Sequence, residues 1–311
     1  MAKKATGTSL FSYDTLVHAI SGAAGSVTAM TVFFPLDTVR SRLQVEDSRE
    51  SKNTFAMIEE FIREEGLESL YRGLGPVLTS LCASNFVYFY TFHGLRAVYR
   101  GKQEHSPLSD LALASLAGAV NVIVTTPLWV VNTRLKMQGV KLRAGDSLRL
   151  RKTQRYNGIL DGLLKICKEE GVGELWSGTL PSLMLIINPA VQFMVYEGLK
   201  REFLHSQDTK NLSSTTIFLI GAIAKSISTV LTYPLQIVQS KLRYGSSTMR
   251  QQSFFQLLMS IVRSKGIRGV YKGLEAKLFQ TVLTAALMFV CYEKIAVFVF
   301  YLLKGPVKNH Q

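Results

Sequence analysis

A chain of 311 residues could hold one or two soluble domains, yet 47% of its residues are apolar, only 19% are charged and its mean hydropathy is +0.17. The charges lie between long apolar runs, the pattern of a protein that crosses a bilayer several times rather than of one soluble core. The net charge of +14 leaves three partners to weigh: nucleic acid, anionic lipid at the loops, or an anionic solute. The bases flank apolar helices and form no nucleic-acid-binding module, which argues against nucleic acid.

The cysteines, Cys82, Cys167 and Cys291, are isolated and odd in number, without metal-ligand spacing. Buried thiols are expected. The N-terminal stretch MAKKATGTSLFSYD lacks the apolar core of a signal peptide and makes a poor transit peptide. Insertion would then depend on internal segments.

In chain order, Leu16–Leu43 reads as one long helix kinked at Pro35. Gly22 and Ser26 give it a small-residue face for close packing in lipid. Phe55–Glu65 is amphipathic and too short to span, so it is expected at the membrane interface. Gly66 ends it, Tyr71-Arg72-Gly73 follows, and Leu74–Tyr99 is a second long apolar helix, rich in aromatics over Asn85–Phe92. The order then recurs. Leu108–Met137 carries Pro127, where a kink is expected as it is at Pro234, residues 139–155 form a basic loop, and Asn157–Glu170 is a second surface helix before Trp176-Ser177-Gly178. Leu180–Leu204 is the fourth span, with a kink expected from Pro189. Ser213–Leu242 carries Pro234, Ser253–Lys265 is the third surface helix, Tyr271-Lys272-Gly273 follows, and Leu274–Leu303 closes the set. All six long helices have the ~20 residues a bilayer demands.

The repeat is sharpest around each helix proline. FFPLDTVRSRLQ (Phe33–Gln44), TTPLWVVNTRLKMQ from Thr125 and TYPLQIVQSKLR from Thr232 share Pro-Leu and then a base seven residues past the proline: Arg42, Arg134 and Lys241. The spacing from proline to the aromatic-x-Gly glycine nearly matches in the first and third units. It is longer in the second by about the size of the basic loop. Three two-helix units follow, residues 1–104, 105–208 and 209–311, inside one membrane domain. Internal repeats of this kind build transporters around a central axis.

Lys225 is the sharpest single residue. Aligned on the prolines, it shares its position with Ser26 and Gly118, yet it puts a charge inside an apolar span. Such a charge is costly and normally faces a water-filled cavity. Two roles stay open: a contact for a substrate phosphate, or a partner for a backbone carbonyl. Lys141, Arg143, Arg149, Arg151, Lys152 and Arg155 of the basic loop suit anionic lipid. Attraction of an anionic solute and an organelle address are the other readings. No Ser/His/Asp set, metal-ligand cluster or Gly-rich phosphate loop supports an enzyme.

These residues resemble the mitochondrial carrier family. Its threefold signature is a proline, an acid two residues on, bases five and seven residues on, then an acid–glycine pair and an aromatic–base–glycine turn. The first unit matches fully: Pro35, Asp37, Arg40, Arg42, Glu65-Gly66 and Tyr71-Arg72-Gly73. The second keeps Pro127, Arg134, Glu170-Gly171, Trp176 and Gly178, but has Trp129 and Asn132 at the charged positions and Ser177 for the base. The third keeps Pro234, Lys241, Gly266 and Tyr271-Lys272-Gly273, with Gln236 and Gln239 at the charged positions and Lys265 for the acid. The resemblance spans essentially the whole chain. It implies an all-α membrane protein with six transmembrane helices in three pseudo-symmetric pairs and short surface helices on one side.

PLWVVNTRL is similar to the branch of the family that carries nucleotides and coenzymes, and SNFVYFYTF and YKGLEAKLFQTVLTAALMF to its peroxisomal members. The resemblance implies exchange of coenzyme A (CoA), FAD, NAD and adenine nucleotides (AMP, ADP) across the peroxisomal membrane by alternating access. These coenzymes would be cargo, with no prosthetic group and no metal. It also implies a monomer delivered by the peroxisomal membrane-protein import receptor. A mitochondrial inner-membrane carrier for a related nucleotide, coenzyme or folate is the alternative, and a non-transporting membrane scaffold a second.

The resemblance also assigns two gates. On the matrix or lumen side Asp37 would face Asn132, Trp129 would face Gln239, and Gln236 would face Arg40. No full ion pair survives between these helices, so a gate that opens at low cost is expected. The alternative is that Asp37 and Arg40 pair within one helix or meet lipid headgroups. On the cytosolic side Glu293 would pair with Arg96, Glu197 would face Ala296 and His93 would face Lys200. His93 is either pH-sensitive or a neutral hydrogen-bonding side chain. Substrate would meet polar residues midway along the even helices: Ser80, Ser84 and Asn85; Asn188 and Gln192; Gln280, Thr281 and Thr284. Tyr88 is either a stacking platform for adenine or a packing residue.

Overall fold

The computed structural model describes residues 25–46, 53–99, 107–138, 155–207, 213–244 and 253–304. The basic loop up to residue 154, and with it Lys141, Arg143, Arg149, Arg151 and Lys152, lies outside them, as does Gly22. The described residues are helices and short links with no strand, the all-α class expected. The first span is not one continuous helix. It is broken at Phe33 between α1 (25–32) and α2 (Phe34–Val45), two residues before Pro35, whose ring crowds the preceding turn. Then come α3 (Thr54–Glu65), a short 3-10 helix (Leu67–Tyr71), α4 (Leu74–Tyr99) and α5 (Pro107–Lys136). Next are α6 (Ile159–Glu169), a second 3-10 helix (Val172–Trp176), α7 (Thr179–Met184) and α8 (Ile187–Gln207). The chain continues through α9 (Ser214–Tyr244), α10 (Phe254–Val270, interrupted by Gly266) and α11 (Leu274–Lys304).

Contacts divide the chain into two units. One spans Pro35–Phe279; the other combines the residues up to Phe34 with those from Gln280 onward. In the second unit Ser26 Oγ donates to Met288 Sδ at 3.7 Å.

The stretches Ser109–Lys136, Val172–His205 and Thr215–Tyr244 are long and apolar enough to cross a membrane. Their polarity is inverted relative to a soluble protein. Ile123 and Val124 on α5, and Ile223 and Leu231 on α9, are exposed, while Thr125, Thr126, Ser228, Thr229 and Thr232 are buried. Apolar side chains outside and polar ones inside suit a lipid solvent around a polar interior. Cys82, expected to be buried, is exposed on α4.

The prolines are handled differently. Pro127 and Pro234 sit inside unbroken α5 and α9. A helix proline orphans the carbonyl four residues back. For Pro127 that carbonyl belongs to Ile123, and the Trp176 indole Nε1 donates to it at 2.8 Å. The aromatic turn of the second repeat thus repairs the ladder that its own proline breaks. Trp176→Phe keeps the ring and removes the donor. It is expected to cost about 1–2 kcal/mol, seen as an earlier thermal unfolding midpoint in detergent. An unchanged midpoint would mean that Ile123 finds another donor. The fourth span is not a kinked single helix but two: α7 ends at Met184, Leu185 and Ile186 form a turn, and Pro189 follows in the first turn of α8.

Among the described residues the packed core shows three equivalent clusters. Val39 and Leu43 on α2 pack with Met57, Phe61 and Leu70. Val131 and Leu135 on α5 pack with Tyr156, Ile166 and Leu175. Val238 and Leu242 on α9 pack with Phe254, Leu257, Ile261 and Val270. In each, the two residues four and eight past the proline present one helical stripe to the surface helix. The surface helices are stopped and started by local chemistry. Asn53 caps α3 through Phe55 N at 3.1 Å, and Gln256 Oε1 accepts the Ser253 N–H at 2.9 Å before α10. Before α6, Asp161 accepts from Asn157 N at 2.8 Å. The hydrogen bond from Lys165, followed by that from Asn157 N, holds the Asp161 carboxyl below the usual carboxylate range.

The aromatic-x-Gly turns link the repeats in cyclic order. Gly73, Gly178 and Gly273 all adopt φ between 80° and 84°. A Cβ at Gly73 would stand 3.1 Å from Lys136 Cγ, one at Gly178 3.2 Å from Arg243 Cγ, and one at Gly273 3.2 Å from Leu43 Cβ. Each turn therefore seats on the next repeat's proline helix, one to two, two to three and three to one. Glycine is required twice over, by the left-handed backbone and by the close approach. Arg72 Nη1 and Lys272 Nζ add hydrogen bonds to the carbonyls of Gln138 (2.6 Å) and Glu46 (2.5 Å). Ser177 has no such reach and donates to Glu174 O at 2.8 Å.

Candidate functional site

The region around Asp37 differs from the sequence expectation. Asp37, 3% exposed, accepts from Arg40 Nη2 at 2.8 Å on its own helix. It also pairs with Lys136 Nζ, on α5 of the second repeat. A full ion pair between helices therefore exists, against the expectation that none survives. The lysine lies one turn beyond Asn132, which was expected to face Asp37. Asn132 is 2% exposed, and neither its Nδ2 nor its Oδ1 finds a hydrogen-bond partner among the described residues. Gln239 Nε2 donates to Ser182 Oγ at 2.7 Å, and Gln236 Nε2 to Thr232 Oγ1 at 3.4 Å, so their hydrogen bonds go elsewhere than to Trp129 and Arg40. Trp129 is half-buried, and its carbonyl accepts from Thr133 Oγ1 at 2.8 Å.

Behind this layer, buried arginines of the proline helices meet the acids of the surface helices. Arg42 Nη1 and Nη2 donate to both Glu65 oxygens at 3.0 and 2.6 Å, and Arg134 does the same to Glu170 at 2.7 and 3.1 Å. Such bidentate, charge-assisted pairs fix a helix end rigidly. Lys265 occupies the acid's place in the third repeat.

At the opposite ends of the even helices, Arg96 lies 3.7 Å from Asp110, and Lys200 lies 3.9 Å from Glu197 one turn before it. His93 is exposed and packs against the rings of Phe92 and Phe89, with centroids 5.6 and 6.4 Å away. The side chain of Glu293, expected to pair with Arg96, lies outside the described residues, as does that of Ala296.

Between these layers, Asn188 is a hub at the break in the fourth span. Its Nδ2 donates to Thr232 Oγ1 at 2.6 Å. Its Oδ1 accepts from Ser228 Oγ at 3.0 Å and from Lys225 Nζ at 3.5 Å. Ser228 Oγ also reaches the Asn188 carbonyl at 2.8 Å. The structure thus brings Lys225 and Asn188 together from two helices. Ser84 Oγ donates to Asn121 Oδ1 at 3.2 Å. Ser80 is fully buried, and its Oγ has no partner among the described residues. Asn85 is exposed, Gln192 half-buried, and the Tyr88 ring stacks on Phe92 at 6.2 Å. In the other unit Gln280 is buried, and Thr281 and Thr284 are half-buried.

Three residues of the interior escaped the sequence reading. Lys136 lies just past the signature. Ser182 has no charge to flag it. Lys277 stands near the start of an apolar helix, within the field of Arg40, Lys136 and Lys225 as well as Asp37. The rule that singled out Lys225, a charge in an apolar span, would have found Lys277 as well.

A family model described as "Mitochondrial carrier protein" matches the chain three times, over residues 11–103, 103–207 and 210–301. The "Peroxisomal membrane protein PMP34" of Mus musculus is 54% identical over 300 residues, 94% of this chain and 96% of that protein. The "Peroxisomal nicotinamide adenine dinucleotide carrier" of Arabidopsis thaliana is 31% identical, covering 91% of this chain and 95% of its own. The "Peroxisomal adenine nucleotide carrier 1" of Glycine max is 32% identical over 95% of this chain and 98% of its own. With three successive family matches along the chain, and polar side chains buried between helices whose apolar faces are exposed, the protein belongs to the mitochondrial carrier family, whose members are membrane transporters.

Proposed function

We propose that this carrier exchanges adenine-containing nucleotides and coenzymes, namely CoA, FAD, NAD, AMP and ADP, across the peroxisomal membrane by alternating access. The observation that carries the reading is Lys225. It is a cation that donates to Asn188 Oδ1 at 3.5 Å from within the membrane-spanning stretch of α9. Such an interior attracts a phosphate or diphosphate and offers polar side chains to the rest of the ligand. Two of the relatives are named for NAD and adenine nucleotides and for the peroxisome, which supports both cargo and membrane. CoA and FAD extend the same chemistry, an adenosine carrying phosphate. The coenzymes are cargo and not prosthetic groups. The carrier works as a monomer in the bilayer and reaches it through the peroxisomal membrane-protein import receptor.

In this reading, Lys225 receives the phosphate while Ser84, Asn85, Asn188 and Gln192 offer polar contacts to the rest of the ligand. The experiment is uptake of labelled nucleotides and coenzymes into liposomes preloaded with each member of the panel. Exchange of CoA, FAD and NAD against adenine nucleotides is expected, with negligible uptake into empty liposomes. Uptake of only unphosphorylated solutes would overturn the reading. Imaging a tagged copy separates the peroxisomal membrane from the mitochondrial inner membrane.

A further inference from the structure

We propose that Lys136 is the cation that closes the gate on Asp37, one helical turn beyond the position that the repeat pattern assigns to it. The inference deepens the transport reading and rests on it. Asn132 occupies the assigned position, is buried, and contributes no hydrogen bond among the described residues. Lys136 lies four residues later, on the same face of α5, and its Nζ reaches the Asp37 carboxylate across the repeat boundary. The replacement of a long cation by asparagine therefore has not discharged the gate. The charge has moved along the helix.

Two surrounding contacts hold the lysine there. Gly73 lies so close that a Cβ would stand 3.1 Å from Lys136 Cγ, which fixes the stem of the side chain. Arg40 bonds the other Asp37 oxygen at 2.8 Å, which turns the carboxylate between the two cations. The register is systematic. Counting nine residues past each proline gives Gln44, Lys136 and Arg243. Gln44 Oε1 accepts from Ser240 Oγ of the third repeat at 2.6 Å, and Arg243 Nη2 donates to Ser182 Oγ of the second at 3.2 Å. Each of these residues reaches back to the preceding repeat, in cyclic order. Of these three links only that of Lys136 is an ion pair, so it is the one whose breaking parts two buried charges. Opening on this side must separate Asp37 from Lys136, and the cost is set there rather than at the neutral pairs expected from the signature.

The test moves the charge. Wild type, Lys136→Gln, the double variant Lys136→Gln with Asn132→Lys, and the swap Asp37→Lys with Lys136→Asp are reconstituted into liposomes preloaded with ADP. Lys136→Gln is expected to lower exchange by about tenfold, and the double variant to return it to within about threefold of wild type. The swap is expected to retain exchange, because the pair is kept with its ends reversed. A reporter, Asn132→Cys with the three native cysteines changed to serine, reads the gate directly in detergent. Labelling by a polar maleimide is expected to rise about tenfold when Lys136→Gln is added.

Unchanged exchange and unchanged labelling in Lys136→Gln would overturn the proposal. So would a double variant and a swap that unfold like wild type yet stay inactive, since a lysine needed only for packing cannot be moved. Protection of each variant from thermal unfolding by ADP separates this failure from failure of the transport reading: protection retained with the gate result negative removes Lys136 alone. If Lys136→Gln does not survive purification, the double variant and the swap decide.

Discussion

Lys225→Ala is expected to raise the half-saturating concentration of CoA, FAD or NAD by about 10- to 100-fold, the loss of a charge-assisted contact of about 1.5–3 kcal/mol. The fold should survive. Asn188 Oδ1 keeps its 3.0 Å hydrogen bond from Ser228, and Asn188 Nδ2 keeps Thr232. The charge itself gains little from its surroundings, because its hydrogen bond to a neutral amide oxygen is long, at 3.5 Å. Removing a costly interior charge with one weak tether should leave unfolding unchanged or slightly later, while transport suffers. The measurement is the concentration dependence of uptake into preloaded liposomes, beside thermal unfolding of the same preparation. Lys225→Arg should recover most of the affinity. Normal affinity in Lys225→Ala would show that the lysine is a structural partner of α8 and not a phosphate contact.

Glu65→Ala should be the most destabilising single change outside the transport path. It strips both hydrogen bonds from Arg42, whose side chain is 1% exposed, and leaves an uncompensated charge. Breaking one side of a buried pair costs about 3–5 kcal/mol. Replacing both partners, Arg42→Met with Glu65→Ala, should cost clearly less, because no charge remains buried. Unfolding in detergent by heat or denaturant separates the two. Equal losses would mean that the packing of Arg42 over Phe61, whose ring centroid lies 4.6 Å from the guanidinium carbon and which only the double variant removes, is worth as much as the relief of the stranded charge. The third repeat has Lys265 at the acid's position, and Tyr233, Leu257 and Ile261 share the buried cluster there.

Much of the architecture was legible because it is local. Apolar length marked the spans, and the proline, the base seven residues on and the aromatic-x-Gly turn marked the repeat. Phe55–Glu65 was expected as a surface helix and appears as Thr54–Glu65, because Asn53 and Gly66 punctuate it within the sequence. Lys225 was legible for the same reason: a charge in an apolar run needs no partner to be noticed. Cys82 was misread because composition says nothing of which side of a helix a residue takes.

The sequence by itself determined the helical spans, though not the breaks at Phe33 and at Leu185 and Ile186, and with them the threefold repeat and the family, since each follows from residue spacing along one chain. Only the tertiary structure decided which side chains meet. Asp37 was aligned with Asn132 by counting from each proline, but two crossing helices meet at a height set by packing, here by Gly73 against Lys136. A difference of one turn, ~5.4 Å along the axis, is invisible to counting and decides whether the carboxylate faces an amide or an ammonium group. The same holds for Trp176 over Ile123 and for Asn188 beside Lys225. Hydrogen bonds and ion pairs depend on contact distances of a few ångströms between helices, and those distances exist only once the repeats have closed on one another.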